Sequence, residues 1–163
     1  MSQNCLSVGA LAILLVSASP TLAHEPRSSG AGQVTLPASA RGPAAIVDAF
    51  HAALSRGDTG SAASLLADDA LIFEEGGAER SKAEYAAHHL PADAAFSKLV
   101  ASTLTRRTGS ANGTFAWIAS EGRMSGTYKG KAVDRATTET MVLRRVGRSW
   151  KIVHIHWSSG ARP

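Results

Sequence analysis

A single cysteine, Cys5, occurs in 163 residues, so no disulfide can close within the chain and no thiolate cluster can hold a metal. Long apolar runs are also missing. Leu6 to Val16 is the most apolar stretch, and its 11 residues are too short to span a bilayer. They suit the apolar region of a signal peptide instead, and Thr21-Leu22-Ala23 supplies small residues at the −3 and −1 positions of a cleavage site. Acidic residues are absent before Glu25, and the opening MSQNC has no Lys or Arg, only the terminal amine. Residues 1–23 are therefore expected to be a cleaved signal, leaving a periplasmic or secreted mature protein with no membrane segment. Cleavage would remove Cys5, and with it all thiol chemistry.

Aromatics make up only 6% of the chain. Trp117, Trp150 and Trp157 are expected in the core and in a subunit contact, not as a stacking platform, so nucleic acid is not an expected partner. Charge is not scarce but is unevenly placed. Lys and Arg number 17 against 13 Asp and Glu, a formal net charge of +4, and most of the basic residues fall after Ala101. They come singly or in pairs, as on a solvated sheet face with a few anion-binding arginines.

Residues 24–41 have prolines, glycines and hydroxyl residues but no apolar periodicity, and read as a flexible leader. Order is expected from Gly42-Pro43, with Pro43 in a first helical turn. Ile46, Val47, Phe50 and Leu54 recur at helical spacing, Gly57 ends that helix, and Asp58 caps a second. Leu71-Ile72-Phe73 is a short strand turned by Gly76-Gly77. Ser81 and Glu84 form a capping-box pattern for a third helix, which Pro91 is expected to stop. From Lys98 onward the chain is rich in Thr, Val, Ile and Trp, divided by Gly-containing turns. Helices followed by consecutive antiparallel strands define an α+β domain over residues 42–160, with about three helices packed on a sheet of four to six strands.

Turn positions fix an expected register. A two-residue loop at Lys129-Gly130 sets Ser120 opposite Glu139 and Met124 opposite Arg135. A loop at Gly147-Arg148 sets His156 opposite Glu139 and His154 opposite Met141. Alternation then gathers Ser120, Arg135, Glu139, His154 and His156 on one face beside Ile118, Met141, Leu143 and Ile152. An apolar cup with a few convergent polar groups describes a small-molecule pocket. The other face carries Trp117, Ile155 and Trp157 and suits a subunit contact.

Two segments, Thr138–Arg145 and Trp150–Gly160 (WKIVHIHWSSG), resemble the end of a SnoaL-like domain of the nuclear transport factor 2-like superfamily. They are especially similar to the association domain of calcium/calmodulin-dependent protein kinase II, and Phe50–Leu66 is similar to the superfamily's first two helices. The resemblance implies a cone of helices closing over a curved antiparallel sheet, a homodimer, and members that range from isomerases, dehydratases and cyclases to assembly domains without chemistry. It also implies cavity positions at Arg135, Glu139, His154 and His156.

Three functions follow as expectations. The first is a small-molecule site with simple isomerase-, cyclase- or lyase-type proton transfer: His154, His156 and Glu74 would handle protons, and Arg135, Glu139, Ser120, Tyr85 and His88 would bind the ligand. Glu74 follows Ile72 and Phe73, so an apolar setting would raise its pKa toward that of a general base. Arg135 points to an anionic ligand group. The second is a zinc or copper site on His154 and His156, which are two residues apart on one strand and so about 7 Å apart in Cα; the first function needs no cofactor. The third is a dimerisation or assembly module using the outer sheet face.

Overall fold

The computed structural model describes residues 32–162, so the expected signal peptide lies outside the described residues. Four helices and seven strands follow one another as β1 (Gln33–Thr35), α1 (Ala38–Arg56), α2 (Thr59–Leu65), β2 (Leu66–Glu74), β3 (Gly77–Glu79), α3 (Lys82–Ala87), α4 (Leu90–Ser97), β4 (Val100–Asn112), β5 (Phe115–Tyr128), β6 (Lys131–Val146) and β7 (Ser149–Ala161). The strands form one curved sheet in the order β1-β4-β5-β6-β7-β2-β3. Two pairings, β1 with β4 and β2 with β7, are parallel, so the sheet is mixed and larger than the four to six antiparallel strands expected. Among the described residues no helix is long and apolar enough to cross a membrane.

Helix α1 buries Ala40, Ala44, Val47, Phe50 and Leu54 at helical spacing and ends where Gly57 takes a left-handed conformation, φ 73°. The expected flexible leader is in part ordered. β1 docks along β4 through backbone hydrogen bonds while its three side chains stay exposed, a pairing that leaves no apolar signature in sequence. α1 accordingly starts at Ala38 and holds Pro43 inside the helix, not in its first turn. Asp58 caps α2, its carboxylate accepting from the Ser61 N–H at 2.9 Å. Ser81 caps α3, and Pro91, expected to stop that helix, lies in the first turn of α4 and helps start it.

The β5–β6 hairpin turns through Lys129-Gly130, both at positive φ, and pairs without interruption from Tyr128–Lys131 to Phe115–Arg144. The β6–β7 hairpin starts as expected, with Val146 opposite Ser149 and Leu143 opposite Ile152. There Val153 is an extra residue: Val142 pairs with His154, and every later β7 residue changes face. A similar bulge at Thr105 shifts β4 against β5, so Leu104 pairs with Gly122 but Arg106 with Glu121. These two bulges decide which side chains reach the interior. Met141, Leu143, Ile118 and Ile152 are fully buried, and Ile155, expected on the outer face, joins them.

Candidate functional site

A cavity of about 580 Å³ opens between α1, α4 and the inner face of strands β4 to β7. Leu54, Phe96, Val100, Leu104, Met124 and Trp157 give it apolar walls. Such a volume and lining suit a small organic molecule.

At one end lies Glu139 on β6, 8% exposed. It sits 2.6 Å from His51 Nε2, accepts from Trp157 Nε1 at 2.8 Å, and accepts from Ser120 Oγ at 3.4 Å. Burial pushes this carboxyl up, but the hydrogen bonds from His51 and Trp157 and the nearby Arg107 charge outweigh it and hold it below its ordinary value. Arg107, itself buried, donates from Nε to Ser120 Oγ at 3.2 Å and from Nη1 to Asp48 at 2.5 Å. Asp48 and His51 are three residues apart on α1, so they share a face, and they reach β4 and β6 on either side of β5. The result is a chain of polar contacts, Asp48–Arg107–Ser120–Glu139–His51, with His51 half-exposed to the cavity.

Glu74, the last residue of β2, lies two strands from Glu139 across Trp157, and it and Asp93 on α4 both line the cavity. Among the described residues no hydrogen-bond donor contacts the Glu74 carboxyl. Burial raises its pKa to about 7, helped by the charges of Asp93 and Glu75. Burial also raises Asp93, against a hydrogen bond from Tyr85 Oη at 2.7 Å and the nearby His89. The Tyr85 hydroxyl is in turn pushed up by its own burial and by Asp93.

The raised Glu74 pKa has a sign that can be measured. Folding costs more once Glu74 must ionise, so the native state loses stability as pH rises from the ordinary glutamate value of 4.5 through about 7. Glu74→Gln is expected to stabilise the protein above pH 7 by about 1 kcal/mol, allowing for solvent screening of a partly exposed group, and to change nothing below pH 4. Urea unfolding at pH 4 and pH 8 reads this directly; equal gains at both would remove the linkage.

Of the residues expected from sequence, Glu74, Ser120 and Glu139 line the cavity. Tyr85 lies fully buried behind Asp93 and does not line it. Arg135 belongs to the Glu139 alternation but lies beyond the cavity, where Nε donates to Ser159 Oγ at 3.0 Å, so it supplies no anion site there. His88 is exposed where α3 meets α4. His154 and His156 are turned out of the cavity by the Val153 bulge, which brings Trp157 opposite Glu139 in place of His156. Both stand edge-on to Phe73 on the outer face, with His154 Nδ1 2.8 Å from the Leu71 carbonyl. They are not proton-transfer groups of this cavity. No three His, Cys, Asp or Glu side chains gather at them or elsewhere among the described residues, so the expected zinc or copper site lacks a third ligand.

Asp48, His51, Asp93, Arg107 and Trp157 escaped the sequence reading. For α1 a signal existed: Asp48, His51 and Ser55 form a polar stripe beside the apolar Val47, Phe50 and Leu54. For Arg107 and Trp157 there was none, because each reaches the cavity only through a bulge.

The profile of the SnoaL-like domain family matches residues 44–162. Among solved structures, a candidate ketosteroid isomerase from Shewanella frigidimarina is 37% identical, with a TM-score of 0.71, over 76% of this chain and 100% of that one. A candidate calcium/calmodulin-dependent protein kinase II association domain from Xanthomonas campestris is 25% identical, with a TM-score of 0.64, over 81% of this chain and 95% of that one. A nuclear transport factor 2-like protein with a cystatin-like fold from Novosphingobium aromaticivorans shares the fold at 16% identity and a TM-score of 0.62, over 73% of this chain and 80% of that one. No curated protein matches the chain.

Proposed function

The chain belongs to the SnoaL-like domain family, and from that footing we propose that it binds a small organic molecule in its cavity and moves a proton on it. The observation that carries this reading is His51 held at 2.6 Å by the buried Glu139, beside apolar walls and in the same cavity as Glu74, whose carboxyl has no donor among the described residues. A carboxylate on one ring nitrogen fixes the imidazole's tautomer and stabilises the imidazolium that forms when the other nitrogen takes a proton. Glu74, near half-protonated at neutrality and two strands from Glu139, can return a proton. Resemblance to a candidate ketosteroid isomerase supports proton transfer next to a carbonyl as the reaction type.

The test is hydrogen exchange. Small cyclic ketones incubated with the protein in D₂O should gain deuterium at the carbon beside the carbonyl faster than in buffer, read by proton NMR. Exchange at the buffer rate across such a set would sink the proton-transfer reading.

A second reading concerns the outer sheet face, where Phe73, Phe115 and Trp117 remain exposed. An apolar strip of this kind suits association with a second copy, and the Xanthomonas campestris neighbour is named an association domain. We assign a homodimer to this face; a monomeric mass in sedimentation equilibrium at micromolar concentration would rule it out. Export, proposed from Met1–Ala23, predicts His24 as the N-terminus of the native protein by mass spectrometry.

A further inference from the structure

The cavity is acidic although the chain as a whole carries a net charge of +4. Among the described residues Asp48, Glu74, Glu75, Asp93 and Glu139 line it, with Glu121 at its edge paired to Arg106, against one lining arginine and no lysine. The arginine is already matched: Arg107 is paired with Asp48 at 2.5 Å and linked through Ser120 to Glu139. An incoming carboxylate would therefore meet no uncommitted cation and several like charges. Glu74 and Asp93 are the reverse case. No cation neutralises Glu74 among the described residues, and Asp93 accepts one hydrogen bond, from the Tyr85 hydroxyl, with the imidazole of His89 nearby.

Two aromatic residues line the cavity with these carboxyls, one of them Trp157, whose Nε1 is bonded to Glu139. Trp157 is the cross-strand partner of Glu74 in the parallel β2–β7 pairing, and Phe96 follows Asp93 by three residues on α4, so the two share a helix face. Carboxylates between aromatic walls form a site for a cation with an apolar body, since the rings attract it through their quadrupoles while the carboxylates supply the countercharge.

We propose that the ligand is an organic ammonium ion, its nitrogen held by Glu74 and Asp93 between Phe96 and Trp157 and its hydrocarbon part lying along Leu104 and Met124. This rests on the reading of the cavity as a ligand site and adds an ammonium group to the carbonyl compound of that reading; with the ammonium bound, Glu74 is the countercharge and His51 is the group that moves the proton. A protonated amine entering near neutrality ionises Glu74, whose proton leaves to solvent, so nothing beyond water is needed for balance. The groups facing Glu74 are Glu75 on its own turn, Asp93 on α4 with Tyr85 and His89 behind it, and Trp157 on β7; His51 and Arg107 stay with Glu139.

Three probes of one shape decide it: cyclohexylmethylamine, cyclohexylmethanol and cyclohexanecarboxylate, each titrated calorimetrically into the purified protein. The amine is expected to bind about tenfold or more tightly than the alcohol, and the carboxylate more weakly than either. Amine affinity should rise about tenfold from pH 6 to pH 8 as Glu74 ionises, with proton release at pH 6.5 read from buffers of different ionisation heat. Glu74→Gln, with unchanged circular dichroism, should bring the amine down to the alcohol's affinity, and Asp93→Asn should weaken it independently. If the alcohol or carboxylate binds as tightly as the amine, the ammonium assignment is wrong and the cavity reading stands. If none of the three binds, the cavity reading falls as well.

Discussion

Glu139→Ala is expected to lower stability by about 3–5 kcal/mol, the cost of breaking a buried charged network by removing one partner. The carboxylate is 8% exposed, so its removal takes a buried acceptor from each of its partners. Its loss strands the Trp157 indole N–H, leaves His51 without its anchor, and removes the anion that helps offset the buried Arg107. Glu139→Gln keeps the shape and one acceptor and should cost less than half as much. The pH signature opposes that of Glu74. Because the Glu139 carboxyl is held below its ordinary value of 4.5, its stabilising contribution is complete above that pH and is lost as pH falls through the native value. Acid unfolding of the wild type should therefore steepen below pH 4.5, and Glu139→Ala should flatten it. Chemical denaturation between pH 3 and pH 7 measures both; a variant within 1 kcal/mol of wild type at pH 7 would show that the network is not a structural keystone.

His51→Ala is expected to slow deuterium exchange on a bound ketone by about 10²- to 10⁴-fold, the usual contribution of a positioned general base. Stability should change far less than in Glu139→Ala, because His51 is 42% exposed and its removal leaves the buried carboxylate still bonded by Trp157 and Ser120. Glu139→Gln separates the roles: it leaves the imidazole in place but removes the charge that stabilises the imidazolium, so exchange should fall while ketone affinity holds. Full exchange activity in His51→Ala would move the proton-transfer role to Glu74, which a loss in Glu74→Gln would then report.

Much of the framework was legible because it depends on local rules. Gly57 ends α1 through a positive φ, Asp58 caps α2, and the Lys129-Gly130 turn fixed the β5–β6 register that sets Ser120 opposite Glu139. The place of Glu74 was half legible: it ends a strand whose Ile72 is buried, and alternation puts it on the same face as Ile72. The errors share a cause. Strand alternation extrapolates from a turn only while pairing stays regular, and one extra residue reverses every side chain beyond it. Val153 is that residue in β7, and it sent His154 and His156 outward while bringing Ile155 and Trp157 in. Thr105 does the same in β4 and brings Arg107 to the interior.

The chain by itself determined an α+β domain, the end of α1 at Gly57, the start of α2 at Asp58 and the β5–β6 hairpin, because caps, turns and apolar periods are set by neighbouring residues; the family was legible as a resemblance carried by the last two strands. Tertiary structure alone decided the cavity's chemistry. Bulges arise where a curved sheet must close over α1, and that demand comes from packing between distant segments. The scarcity of cysteine leaves carboxylates and imidazoles as the polar groups of the cavity, and only the packing of α1 over the bulged sheet brings His51, Arg107 and Trp157 to Glu139.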